Sequence, residues 1–253
     1  MNFDLGLVSV SFRRLEVEKI IEIAKNAGLS SIEWGGDIHV PSGRVDIARY
    51  VGERTRAAGL KVAEYGSYYR LGVSSPDGID GAAASALALG TDTVRVWAHD
   101  KGSENISECE YAAAVEDARR ICARYPELTF CTECHNNTVT DDYRANLRFL
   151  RDVDMPNFAA FWQPNQFKSH EYNLESAKCL APYVRAAHVF AWEGVEKYPL
   201  SHHRERWAEY IGALSSCRGR EEMHLMLEFM HDDDPDTLAL EARELFDVSC
   251  GLK

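Results

Sequence analysis

The sequence predicts an α/β fold, a single (β/α)8 TIM barrel over residues 1–253. Three observations lead there. Short β-rich runs alternate eight times with longer stretches whose apolar residues recur at three- and four-residue spacing. The length of 253 residues is close to that of one such barrel. No GxGxxG follows the first strand and no GxxxxGK[ST] occurs, so the phosphate-cradling loops of open nucleotide-binding sheets are absent. Parallel strands need helical crossovers and cover on both faces, which a closed barrel supplies. A doubly wound open sheet is the alternative.

The strand candidates are Leu5–Phe12, Ser31–Trp34, Lys61–Gly66, Thr93–Trp97, Leu128–Cys134, Asn157–Trp162, Ala186–Ala191 and His224–Phe229, each followed by a helical pattern. The first helix, Leu15–Ala27, places Ile20, Ile21 and Ala24 on one face and ends at Gly28, a residue suited to the left-handed conformation of helix termini. Gly59 and Gly90 end the next two in the same way, the second an alanine-rich segment, Ala82–Leu89, whose small side chains permit close packing. The acidic runs Asp152–Asp154 and Asp232–Asp234 read as solvated loops. No Pro/Ser linker or charge shift divides the chain.

Hydrophobic residues make up 45% and charged residues 27%, enough apolar material for a folded core. Lysine and arginine total 28 against 40 acidic residues, a net charge of −12 that repels phosphate backbones and argues against a nucleic-acid partner. No run approaches the length of a membrane span, and the N-terminus lacks a basic region ahead of an apolar core, so a cytoplasmic protein is expected. Seven cysteines, an odd number at 109, 122, 131, 134, 179, 217 and 250, fit reduced thiols.

Polar residues needed for function should gather at the C-terminal ends of barrel strands. In the fifth strand, period-two alternation puts Cys131, Glu133 and His135 on one face, with Thr132 and Cys134 on the other. That split also demotes the Cys131–Cys134 CxxC as a redox or zinc pair. The sixth strand aligns Phe161 with Gln163 before Pro164 breaks it. The seventh aligns His188, Phe190 and Trp192, and the eighth aligns Met226, Glu228 and Met230. Glu133, Gln163, His188 and Glu228 therefore fall one per strand on four consecutive strands, 30, 25 and 40 residues apart. Two carboxylates, an imidazole and an amide oxygen suit one divalent ion: Mn²⁺, Mg²⁺, Co²⁺ or, at the border of the set, Zn²⁺.

Other polar groups are candidates to grip a substrate. They are Glu33 on the second strand, Arg95, Trp97 and His99 on one face of the fourth, and Trp192 and Arg204 after the seventh, with Arg204 as an anion contact. Tyr68, Tyr69 and Arg70 follow the third strand, and His202 and His203 precede Arg204, in loops expected to overhang the mouth.

The motifs IEW (Ile32–Trp34), TECHNNT (Thr132–Thr138), WQPN (Trp162–Asn165), HVFAW (His188–Trp192), the loop YPLSHHRERW and LEFM (Leu227–Met230), in this order, resemble the xylose isomerase-like barrels. That family includes sugar-phosphate isomerases and epimerases, ketose 3-epimerases, inosose dehydratases and endonuclease IV. The resemblance spans nearly the whole chain. It implies a metal held by carboxylate, carboxylate, histidine and carboxylate from the fifth to eighth strands, carried over to Glu133, Gln163, His188 and Glu228. Gln163 stands where many members have aspartate, so two formal charges face the ion instead of three. Gln166 lies near the place of a further family histidine that is absent here.

The first functional expectation is a metal-dependent sugar, sugar-phosphate or sugar-acid isomerase or epimerase. It would act through a metal-stabilised enediolate, with Glu133 and Glu228 resembling the pair that moves protons on opposite faces in the family's epimerases and His135 as a third acid/base. The second is a metal-dependent dehydratase or lyase on a keto-sugar or inosose, in which the proton goes to a leaving group at the β carbon. A metal-free sugar-binding or partner subunit is a third, non-enzymatic reading. A small carbohydrate is the expected partner, with neither nucleic acid nor membrane, and a homo-oligomer is expected.

Overall fold

A computed structural model describes residues 2–216 and 222–251. Among them, eight parallel strands close a ring: β1 (Asn2–Val8), β2 (Ser31–Gly35), β3 (Lys61–Arg70), β4 (Thr93–Trp97), β5 (Thr129–Glu133), β6 (Phe158–Trp162), β7 (Val184–Val189) and β10 (Glu222–Leu227). β10 pairs with β1 from Asn2↔Glu222 to Leu7↔Leu227 and seals the barrel. Eight helices surround it: α1 (Val17–Asn26), α2 (Val45–Ala57), α3 (Gly78–Leu89), α4 (Glu108–Arg124), α5 (Tyr143–Val153), α6 (His170–Leu180), α7 (Arg204–Leu214) and α8 (Leu238–Cys250).

Local chemistry sets several boundaries. Ser107 and Glu110 form a reciprocal capping box that starts α4, and Asp142 accepts from Arg144 N and Ala145 N to start α5. Asp152 and Val153 belong to α5, so that acidic run is the end of a helix and not a loop. Close packing of α3 depends on Gly52 of α2, where a Cβ would stand 2.2 Å from the Leu89 carbonyl oxygen.

The main apolar core lies between the outer sheet face and the helices. Val94, Val96 and Ala98 of the fourth strand region join it, as do Trp34, Phe130, Trp162 and Trp207. Inside the ring, the apolar clusters are small: Val8, Val10, Ala63 and Met226 in one, and Cys131, Ala159, Phe161 and Ala186 in another. Cys131 faces inward while Cys134 packs on the outer core, the opposite orientations expected of them. Cys109, Cys122, Cys134, Cys179 and Cys250 form no disulfide, and Cys217 lies outside the described residues.

Two differences from the expected elements bear on the site. β3 runs on to Arg70, carrying Tyr68 and Arg70 to the mouth. After β7 the chain does not continue as one strand but forms an antiparallel hairpin, β8 (Ala191–Glu193) and β9 (Glu196–Tyr198). Gly194, at φ +61°, makes the turn. Among the described residues, no helix is long and apolar enough to cross a membrane.

Candidate active site

At the C-terminal end of the ring lies a cavity of about 340 Å³ whose walls include Arg70, Arg95, Trp97, Glu133, His135, Gln163, Trp192 and Glu228. Its floor is formed by strand ends. β5 ends on Glu133, Gln163 follows β6 by one residue, and Glu228 follows β10 by one residue. His188, on β7, is fully buried directly beneath them.

One ligand atom each from Glu133, His188 and Glu228 fall within 4.8 Å of one another. His188 Nδ1 is 3.7 Å from Glu133 Oε1 and 3.4 Å from Glu228 Oε2. That Nδ1 and the Oε1 of Gln163 are both buried without a hydrogen-bond partner. Two orphaned donor atoms beside two buried carboxylates are what a divalent ion would satisfy, so the residues present fit the group.

Charge inside the site is tightly coupled. Burial alone would raise the Glu133 carboxyl, but the Arg95 guanidinium paired with it and His188 hold it well below the usual carboxylate range. Glu228, lacking its own guanidinium, is pushed up to about 7 by burial, against the pull of His188. Burial opposes protonation of His188, yet Glu228 and Glu33 together raise its pKa well above the ordinary imidazole value.

His135 belongs to the cavity but not to the ligand cluster. Its Nδ1 lies 2.9 Å from the Asn136 carbonyl oxygen, which only accepts, so Nδ1 carries the proton and Nε2 of the neutral ring is the basic nitrogen. Arg95 and Trp97 reach the cavity from β4, and Trp192 does so from the hairpin, its Nε1 donating to the Phe229 carbonyl at 2.9 Å.

Three expected substrate contacts lie elsewhere. His99 sits at φ +67°, so the chain has left extended geometry and the period-two face no longer holds. Its ring is 3.0 Å from Asp100, and it serves the cavity through its carbonyl, which accepts from Arg70 Nη1 at 3.1 Å. Met230 leaves the Glu228 face for the outer core for the same reason, because Phe229 is at φ +43°. Arg204 opens α7 and pairs with Glu244 away from the cavity, so it is not an anion contact there. Glu33 is 1% exposed and stands behind His188, not on the cavity wall.

Sequence reasoning missed Arg13, which lines the cavity while paired with Asp37 and within 3.3 Å of Tyr68 Oη. It also missed the Asn165–Asn136 bond of 3.3 Å joining two mouth loops. No periodic signal marks either, since both lie in loops. Deeper in the ring, the buried Glu64 pairs with His224, and Lys61 bridges Asp4 and Glu222 at 2.8 and 3.2 Å.

No protein-family model matches the chain. A 3-dehydroshikimate dehydratase of Bacillus anthracis is 29% identical over 106 residues, which is 39% of this chain and 36% of that relative. The chain thus matches little more than a third of its curated relative's length. Among solved structures, a probable 3-DHS dehydratase, AsbF of Bacillus anthracis involved in petrobactin synthesis, superposes with a TM-score of 0.79 at 21% identity, over 97% of this chain and 99% of that one. A xylose isomerase-like TIM barrel protein of Mycobacterium smegmatis in complex with magnesium gives 0.68 at 14% identity, over 99% and 98%. The dehydratase description, met by sequence and by fold, overturns the expectation of an isomerase or epimerase and accords with the second enzyme expectation, elimination. The chain has the fold of the xylose isomerase-like TIM barrels.

Proposed function

We propose that the chain is a divalent-metal-dependent dehydratase that removes water from a small cyclic hydroxy-keto acid of the 3-dehydroshikimate type. The observation that carries the reading is the dehydratase description met in both the sequence and the structural comparison. A histidine base in the cavity, separate from the ligand cluster, supports it.

Such a substrate is a six-membered ring with one carbon–carbon double bond, bearing a ketone, a hydroxyl on the adjoining carbon, a second hydroxyl one carbon further, and a carboxylate. Glu133, Gln163, His188 and Glu228 would hold one Mn²⁺, Mg²⁺, Co²⁺ or Zn²⁺. When bound there, the ion supplies Lewis-acid polarisation of the ketone. Arg70 is placed to receive the carboxylate. It lies 5.2 Å over the Trp97 ring with one nitrogen on the His99 carbonyl, and among the described residues it has no acidic partner.

His135 Nε2 takes the proton from the carbon between the ketone and the carbon that carries the leaving hydroxyl. The electron pair of that C–H bond becomes the new carbon–carbon double bond as the C–O bond breaks. The proton on His135 then passes to the departing oxygen, so water leaves and the imidazole is neutral again. Trp97 fixes the ring for this transfer by its edge-to-face contact with His135.

The test is incubation of metal-loaded protein with 3-dehydroshikimate, following the aromatic product that forms when the dienone left by loss of water enolises, its ring CH2 giving up a proton and the ketone oxygen gaining one. Product formation that requires a divalent ion supports the proposal. Recovery of intact substrate at saturating metal overturns it.

A further inference from the structure

Glu33 makes two contacts that converge on the candidate metal centre. Its Oε2 is 2.9 Å from His188 Nε2, and its Oε1 is 3.9 Å from Arg95 Nε. Arg95 in turn pairs through Nη1 with Glu133 Oε2. All four side chains are almost fully buried, with Glu33 at 1% and His188 at 0% exposure.

The protein makes room for this arrangement. At Gly66 of β3, a Cβ would stand 2.8 Å from Glu33 Oε1 and 3.1 Å from Arg95 Nη2. A side chain at this position would force the carboxylate or the guanidinium to shift.

We propose that Glu33 is the positioning residue of the metal centre, orienting His188 directly and Glu133 through Arg95. A carboxylate oxygen accepts, so it claims Nε2–H of the imidazole and leaves Nδ1 as the lone-pair nitrogen. Nδ1 is the buried, unpartnered atom that faces Glu133 and Glu228. A carboxylate behind a ligating histidine fixes both ring orientation and tautomer and makes the ligand more basic. Through Arg95, the same carboxylate restrains the oxygen that Glu133 turns away from His188, leaving Oε1 toward the cluster. The assignment rests on the reading that this cluster holds a metal, but not on which reaction follows.

The experiment is a titration of full-length wild type, Glu33→Gln and Glu33→Ala with Co²⁺ and Zn²⁺, with folding checked by circular dichroism. Both variants are expected to bind each ion about 10- to 100-fold more weakly. In the Zn²⁺-loaded wild type, ¹⁵N spectra should show His188 protonated at Nε2, with that proton exchanging faster in Glu33→Ala. Arg204→Ala, a change at the Glu244 pair away from the cavity, should leave affinity within about threefold. Folded Glu33 variants with wild-type affinity and an unaltered Nε2–H overturn the assignment. A wild type that takes up no ion overturns the metal centre and this assignment with it. Metal uptake without dehydratase activity overturns only the proposed reaction.

Discussion

The imidazole of His135 meets Trp97 edge-on, ring centroids 4.6 Å apart and planes at 80°, while its Nδ1 is tied to the Asn136 carbonyl. The ring is thereby held in the cavity, outside the ligand cluster. His135→Gln should lower dehydration by about 10²- to 10⁴-fold, the usual loss for a positioned acid/base. Metal affinity should stay within a few-fold of wild type, which separates this loss from loss of the ion. Turnover together with a metal titration on one preparation checks both.

Gln163 presents a neutral oxygen where a carboxylate would add charge. Gln163→Glu should tighten binding of a divalent ion by about tenfold or more, because ligand charge count sets affinity in such sites. Competition with a chromophoric chelator measures this. Weaker binding would mean that the amide does not face the ion.

Binding an ion to the folded chain alone stabilises it by mass action, by about 2.7 kcal/mol at a concentration 100 times Kd. Chelation should therefore lower Tm, and restoring the metal should recover it. His188 must be neutral to ligate, yet Glu228 and Glu33 hold its proton to well above the ordinary imidazole range. Ion uptake should then release a proton, and affinity should rise with pH. Calorimetric titrations in buffers of different ionisation enthalpy count that proton.

Arg70→Ala should raise KM for the carboxylate substrate by about 10- to 100-fold, the worth of one charge-assisted hydrogen bond, with kcat less affected. Arg70→Lys should recover part of the loss, since a point charge replaces a planar fork. Steady-state kinetics on the acid and its methyl ester distinguish charge from packing.

At the other end of the ring, His224 is raised to about 9: burial opposes protonation, but Glu64 outweighs it. Burial likewise raises Glu64 despite His224, so for both groups the folded chain binds protons more tightly than the unfolded one. The stability from His224 is fully present below its unfolded value of about 6.5 and is lost as pH rises through about 9. Urea midpoints between pH 6 and 10 should fall over that window and flatten in His224→Gln. That variant leaves Glu64 buried without its partner and should lose about 3 kcal/mol at pH 6.

The parts legible from sequence are those set by period-two alternation within strands. Glu133, Gln163, His188 and Glu228 follow one another at steps of 30, 25 and 40 positions, yet each sits at or near a strand end where alternation fixes its face. Alternation failed at His99 and Met230 because a left-handed residue, which pattern does not reveal, rotates the chain there. Arg204 was misplaced because a loop arginine has no periodicity to orient it, and Glu244 of α8 captures it. The β8–β9 hairpin did carry a readable signal in Gly194–Val195, a two-residue connection between short extended runs. Glu33 is expected as a substrate contact but stands behind His188, because layer depth inside the ring is not encoded by spacing along the chain.

The seam of the ring has a kinetic consequence. Every other pairing joins strands about one βα unit apart, whereas Asn2 must find Glu222 across nearly the whole chain. Loop-closure entropy makes that meeting the slow event in assembly. Until then, β1 and β10 present open edges to any passing strand, the condition that favours mispairing. Lys61, holding Asp4 of β1 and Glu222 of β10 together, works as a clasp on this joint. Its grip is electrostatic and exposed, so the yield of correctly closed molecules on refolding will depend on ionic strength even where the finished barrel does not.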